Sequence, residues 1–366
     1  MTQFMKELKP NSFEDIIAGI SLFRPGPMSE IPRYIENKNN PEKIVYRTEK
    51  LKPILDVTYG CIIYQEQVMQ IVRDLAGYSL GRSDIVRRAM SKKKHKVMEE
   101  ERKNFIYGIV DENNNILVPG AVRNGISEKV ANEIFDQMID FASYAFNKSH
   151  AAAYAVVAYE TAYLKRYYPV EFFAAMLTSV MDNNEKVAFY IECCRKKGIK
   201  VLPPDINESN VTFTVAGGGI RFGLAAVKNV GKSVIISIIN VRKQKGNFRS
   251  FTDFCQKTAA SDAKESPINK KAVESLIKAG AFDSMGHFRS QLLAVYEQVM
   301  DSAAQDKRRN IDGQISLFDM SKDETGSISD TLPNIKEFES KRLLSMEKEM
   351  IGLYLSGHPL TEYADE

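Results

Sequence analysis

Tyr64-Gln65-Glu66-Gln67-Val68-Met69-Gln70-Ile71-Val72-Arg73-Asp74-Leu75-Ala76-Gly77-Tyr78-Ser79-Leu80-Gly81-Arg82-Ser83-Asp84-Ile85-Val86-Arg87-Arg88-Ala89-Met90 is the stretch on which the reading of this chain turns. Val68, Ile71, Val72 and Leu75 recur at helical spacing, so a helix is predicted from Tyr64 to Ala76, closed by Gly77. A second helix is predicted from Asp84 to Met90, with Arg87 and Arg88 at its C-terminal end. A lysine loop (Lys92, Lys93, Lys94, Lys96) follows. Adjacent guanidiniums are planar, always charged and able to fork onto two phosphate oxygens. The pair suits a triphosphate or a DNA backbone, although composition alone equally allows a surface helix with a charged end.

On the N-terminal side, Ser12 before Glu14 and Asp15 marks a helix start, and Arg24-Pro25-Gly26-Pro27 ends that helix. On the C-terminal side, Val97 to Ile109 reads as helical. Asp111 to Asn115 is a polar turn beside the extended Ile116 to Gly120. Ser127 caps a helix to Ala142 with Val130, Ile134, Met138 and Phe141 on one face. Ser149 caps a long helix to Tyr168, and Pro169 opens the next. The character changes at Leu202-Pro203-Pro204-Asp205. Thr212 to Val215 and Ile220 to Gly223 then form a β-hairpin, followed by a helical segment from Leu224 to about Met300. Asp301 to Leu332 is polar and reads as a linker, with a further helix near Phe338 to Met350. The fold class is mainly α.

Three further constellations stand out. Phe146-Asn147-Lys148-Ser149-His150 lies at a helix N-terminus, where free N–H groups favour an anion; Lys148 adds charge and His150 a donor. The bland alternative makes Ser149 a simple cap and His150 a buried, satisfied side chain. Leu224 to Lys232 looks like a helix-hairpin-helix in which Lys228, Asn229, Gly231 and Lys232 face a phosphate, and Lys271 to Phe282 resembles a second copy that lacks the usual second glycine. A basic cluster of Lys228, Lys232, Arg242, Lys243 and Lys245 surrounds the first. Gln314-Ile315-Ser316-Leu317-Phe318, in polar surroundings, suits docking into an apolar pocket. Two other signals fail. Gly231-Lys232-Ser233 has Ala226 where a Walker loop needs glycine, and Asp136 and Asp140 are not accompanied by the carboxylates a two-metal site requires.

The 366 residues suffice for two or three domains, and the 50 basic against 47 acidic side chains leave a net charge of only +3, so local clusters matter more than the total. No apolar run is long enough to span a membrane, the N-terminus is not a signal peptide, and four cysteines, two of them adjacent (Cys193, Cys194), give neither a disulfide framework nor a metal knuckle and fit a reducing cytosol.

Phe23 to Met28, Tyr64 to Met69, Gly77 to Lys93, Phe146 to Pro169, Ile220 to Leu224 and Gly352 to Pro359, in this order, resemble the alpha subunit of bacterial DNA polymerase III, the C-family replicative polymerases. The resemblance implies a remnant of a palm connection over 1–11 and a fingers domain over 12–204. It further implies a tandem helix-hairpin-helix domain over 205–300, a linker over 301–332, and over 333–366 a helix leading into a truncated oligonucleotide-binding domain. It places the triphosphate of the incoming dNTP on Arg87, Arg88, Lys148 and His150, and DNA on Lys92, Lys93, Lys228, Asn229, Gly231 and Lys232. It places the sliding clamp (beta subunit) on Gln314, Leu317 and Phe318. Primer–template DNA and other replicase subunits are the remaining partners, in a bacterial cytoplasm. The family's catalytic aspartates, with their Mg²⁺, would precede this stretch, so no catalytic residue, metal ligand or cofactor is expected within it. A non-catalytic, clamp-tethering DNA-binding protein is the competing reading.

Overall fold

The computed structural model describes residues 1–91, 95–142, 146–260, 268–311 and 332–357. It is mainly α, as expected, and divides into two compact units, Met1–Ala162 and Tyr163–Glu366. No described helix is long and apolar enough to cross a membrane.

The first unit opens with α1 (Thr2–Leu8), α2 (Phe13–Leu22) and α3 (Ile31–Asn39). Ser12 caps α2 in a reciprocal box: its hydroxyl accepts the Asp15 N–H and its own N–H reaches Asp15 Oδ2, both at 3.2 Å. Asp15 is nonetheless only 1% exposed. Lys38 of α3 meets its Oδ2 at 2.9 Å, and the hydroxyls of Tyr34 and Tyr59 donate to Oδ1 at 3.3 and 3.2 Å. The same ammonium donates to the carbonyls of Leu8 and Lys9, each at 2.9 Å, where α1 ends with Lys9 at φ 44°. One buried ion pair thus fastens three helices.

Next come α4 (Lys52–Leu55), α5 (Gln65–Ala76) and α6 (Leu80–Ser91). The predicted face of α5 is the buried one, and Gly77 closes the helix at φ 77°. Helix α6 starts at Leu80, a turn before the expected Asp84. Helix α7 (His95–Tyr107) stops short of Ile109, because Gly108 turns at φ 83° and Ile109 is taken into β1 (Ile109–Val110), antiparallel to β2 (Ile116–Val118). Helices α8 (Gly120–Arg123), α9 (Glu128–Ala142) and α10 (Lys148–Tyr167) complete this part. Ile134, Met138 and Phe141 of α9 join the α5 face in one core, with Val130 half-buried at its edge.

The second unit contains α11 (Pro169–Ser179), with its proline in the first turn, and α12 (Asn184–Lys196), capped by Asn183. Its sheet has the order β3 (Val201–Leu202), β5 (Gly219–Arg221), β4 (Thr214–Ala216). The β4–β5 hairpin is the expected one. The parallel partner β3 was missed, because two residues carry no alternation to read. The helical segment expected from Leu224 to about Met300 comprises, among the described residues, 3₁₀ turns at Leu224–Ala226 and Asp283–Met285 and four helices: α13 (Lys232–Lys245), α14 (Phe251–Ala259), α15 (Lys270–Lys278) and α16 (Arg289–Ile311). Gly231, Ser250 and Asn269 supply the intervening N-caps. Helix α16 continues to Ile311, into residues expected to be linker. Helix α17 (Ser340–Ile351) lays Met350 and Ile351 into the same core as Ile235, Phe251, Leu276 and Phe282.

Candidate nucleic-acid interface

Helix α6 carries Asp84, Arg87 and Arg88 within one turn. Arg87 donates through Nε and Nη2 to Asp84 Oδ1 at 2.8 and 2.7 Å, and through Nη1 to Gln65 Oε1 at 3.1 Å. Arg88 places Nε 2.7 Å from the other oxygen, Oδ2. The Arg87 hydrogen bonds foremost, and both positive charges, hold the Asp84 carboxyl below its ordinary range. The Arg88 side chain is 66% exposed against 29% for Arg87. Arg88 therefore points to solvent, while Arg87 is braced.

Lys148, at the start of α10, sets Nζ 2.9 Å from Glu14 and 5.3 Å from the centre of the Tyr64 ring. Its backbone N–H is shared between the two oxygens of Glu66 at 3.0 and 3.1 Å. The N–H of His150 goes to Asn147 Oδ1 at 2.9 Å, so Asn147 and not Ser149 caps this helix. Two N–H groups expected to await an anion are already satisfied, one of them by a carboxylate. His150 is exposed, its ring 4.8 Å from that of Tyr154 and 5.5 Å from that of Phe146.

The N-terminus of α5 joins these two constellations, which the sequence presents far apart. Tyr64 bridges to Phe146, with the Gln65 N–H donating to the Phe146 carbonyl at 2.9 Å. Consecutive side chains then divide the work: Gln65 holds Arg87 and Glu66 caps Lys148. Glu14, Gln65, Glu66 and Asp84 were not singled out from sequence. Gln65 and Glu66 lie in the Tyr64–Met69 motif, Glu14 and Asp84 at expected helix starts, and none of the four carried an assigned role in binding. Lys92 and Lys93 lie outside the described residues.

In the second unit, the turn Val227–Gly231 leads into α13. Asn229 adopts φ 63°, so the left-handed residue of the turn is the asparagine, and its amide donates to Ser275 Oγ at 3.4 Å. Gly231 has an ordinary φ of −68° and serves as N-cap; an added Cβ there would meet nothing nearer than Ser233 Oγ at 3.9 Å. Helix α13 has neither a side-chain cap nor an acidic residue in its first turn, and Lys228, Lys232 and Ser233 are exposed around that end. Such an end offers N–H donors and positive potential to a phosphate. The N–H of Lys228 is already committed to the Met350 carbonyl at 2.9 Å, so this lysine offers its ammonium. Arg242 of the same basic cluster is structural: it donates to the carbonyls of Ile206 and Ser209 at 2.9 and 3.0 Å.

The second copy is built for packing. Gly280, at φ 82°, sits against the Arg289 guanidinium, which binds Asp283 at 2.6 Å, the Lys278 carbonyl at 3.1 Å and buried Glu347 at 3.4 Å. The N–H groups of Gly280 and Ala281 return to Ile277 and Leu276. At the start of α16, Glu337 accepts the N–H groups of Arg289 and Ser290 at 2.8 and 3.0 Å. Burial pushes its carboxyl upward, but these donors and the Phe338 N–H outweigh burial and hold it below its usual range. A carboxylate therefore occupies the first N–H groups of α16.

Residues 1–113 match the family model of the bacterial DNA polymerase III alpha subunit finger domain, and residues 198–292 match that of a helix-hairpin-helix motif. Among curated proteins, the chain is 45% identical over its whole length to DNA polymerase III subunit alpha of Mycobacterium tuberculosis, covering 30% of that protein. It is 44% identical to that of Thermus aquaticus (99% of this chain, 28% of the relative) and 41% identical to that of Escherichia coli K12 (100% and 31%). The chain belongs to the bacterial DNA polymerase III alpha family. It spans about 30% of the length of the relatives it matches. The α5–α6 residues lie inside the finger match, and the open end of α13 and the start of α16 lie inside the helix-hairpin-helix match. Among the described residues no three histidine, cysteine or acidic side chains gather as metal ligands, and Asp136 is paired with Arg102 at 2.7 Å. Gln314, Leu317 and Phe318 lie outside the described residues.

Proposed function

We propose that this chain is the part of a replicative DNA-directed DNA polymerase that grips the incoming dNTP and holds the duplex during template-directed synthesis. The observation that carries the reading is the N-terminus of α5, where Gln65 holds Arg87 and meets the Phe146 carbonyl while Glu66 takes the Lys148 N–H; Arg88 is linked through Asp84. Phosphoryl transfer asks a protein mainly for positioning and charge stabilisation, and forked guanidiniums beside an ammonium answer that need. Arg88, the exposed member, meets the triphosphate, while Arg87, tied to Asp84 and Gln65, keeps the helix end in register. His150 supplies a donor at the rim. The described residues contain no set that fits the family's Mg²⁺, so no step through that ion is assigned to them.

Lys228, Lys232 and the open end of α13 bind the backbone of the duplex without regard to base sequence, with Asn229 shaping the turn, and the family match over 198–292 supports this half of the reading. Lys92 and Lys93 belong to the same duplex-binding assignment by their charge. Gln314, Leu317 and Phe318 dock into an apolar pocket of the sliding clamp, and other replicase subunits complete a cytoplasmic assembly. The fingers function belongs to 12–204 and the duplex function to 205–300. The test is duplex affinity measured against salt. The logarithm of affinity should fall linearly with that of salt concentration, by about 0.9 for each phosphate contacted. Lys232→Ala should lower that slope by about one, equally for unrelated sequences. A salt-independent affinity removes the assignment.

A further inference from the structure

Each cation of the α5–α6 cluster already has a carboxylate. Asp84 serves Arg87 and Arg88, Glu14 serves the Lys148 ammonium, and Glu66 accepts the Lys148 N–H. Three positive charges (Arg87, Arg88, Lys148) stand beside three carboxylates (Glu14, Glu66, Asp84), and Arg24, its guanidinium 4.3 Å from the centre of the Phe146 ring, adds a fourth, so the formal sum is only +1. A weakly charged anion meets little field there, and what enters must out-compete a resident group. Asp84 is the carboxylate placed to be replaced. Its two oxygens address two neighbouring guanidiniums, as two phosphate oxygens would. Arg87 stays anchored through Gln65, whereas the exposed Arg88 is held through Nε on the solvent side.

Resting on the nucleotide reading above, we propose that Asp84 is a resident counter-anion which a polyphosphate displaces from Arg88, so that this carboxylate sets the charge an anion must carry to occupy the site. A triphosphate carries several negative charges and overcomes the exchange; orthophosphate or a lone carboxylate gains little by it. Asp84 is then a specificity-determining residue, acting through the arginine it releases.

The experiment titrates inorganic tripolyphosphate into the full chain at fixed ionic strength by calorimetry, comparing the wild type with Asp84→Asn, Arg88→Ala and the double variant. An exposed ion pair is weak and readily exchanged, so freeing Arg88 from Asp84 should tighten tripolyphosphate binding by about three- to fivefold. Arg88→Ala should weaken binding, and the double variant should bind as poorly as Arg88→Ala alone, which shows that the gain passes through Arg88. If Asp84→Asn binds no more tightly while Arg88→Ala still weakens binding, the counter-anion proposal fails and the nucleotide reading stands. If Arg88→Ala leaves affinity unchanged, both fail. Asp84 lies on the outer face of α6, so an unchanged melting midpoint is the control expected for Asp84→Asn.

Discussion

Lys38→Met should cost the first unit about 3–5 kcal/mol of stability, the loss typical of breaking a buried ion pair from one side. The side chains of Lys38 and Asp15 are 7% and 1% exposed, and removing the ammonium leaves a carboxylate that water cannot reach. It also strips two donors from the carbonyls of Leu8 and Lys9, which close α1 in a left-handed residue. Urea unfolding followed by circular dichroism measures the change. The effect should depend on pH in a defined direction. Burial pushes the Asp15 carboxyl upward, but its hydrogen bond to Lys38, the Asn11 and Ser12 N–H groups and the Lys38 charge together hold it below its ordinary 3.8. A depressed carboxyl stabilises the fold at all pH values above its unfolded value, and that contribution disappears as pH falls through the lowered folded value. Wild-type stability should therefore drop below about pH 3.8, whereas the penalty of Lys38→Met should shrink there, because protonated Asp15 no longer needs a partner. Asp15→Asn combined with Lys38→Met should recover part of the loss for the same reason. A penalty under about 1 kcal/mol for Lys38→Met at neutral pH would mean the pair is solvated and not the fastening described here.

Arg88→Ala, placed in a complete polymerase carrying this segment, should lower kcat/KM for dNTP by about a hundredfold or more. Removing one preorganised donor from a developing charge commonly costs that much. Primer–template affinity should stay within about a factor of two, because the proposed duplex contacts are Lys92, Lys93, Lys228 and Lys232 and not Arg88. Arg88→Lys should restore little, since a point charge cannot fork onto two oxygens. Single-turnover incorporation and anisotropy of labelled primer–template separate the two quantities. Equal losses in both would assign Arg88 to DNA.

Much of the architecture follows from spacing that a reader of the chain sees directly. The α5 stripe, the Ser12 cap, the Gly77 stop and the β4–β5 hairpin each rest on local chemistry, and each appears where that chemistry puts it. What local chemistry missed came from contacts between distant residues. Ser149 and Asn147 are both cap formers, and the choice between them was made by Glu66, far upstream, which takes the first N–H of α10. Gly231 looked like the special residue of its turn, yet the positive φ fell to Asn229, which tolerates that region and finds Ser275 across the fold. The two helix-hairpin-helix copies resembled each other in sequence. Glu337 and Arg289, lying outside the second copy's motif, make it a packing element while α13 keeps an open end. The cationic residues themselves were legible. Their carboxylate partners were not, because nothing in spacing tells which acid a distant arginine meets.

The central claim is that this chain places positive charge and N–H donors against phosphates without performing the chemistry. One tube tests it: the purified chain with labelled primer–template, four dNTPs and Mg²⁺, read for anisotropy and for primer length. The account predicts a bound duplex that salt releases and a primer that keeps its length. A primer lengthened by the chain alone would contradict it.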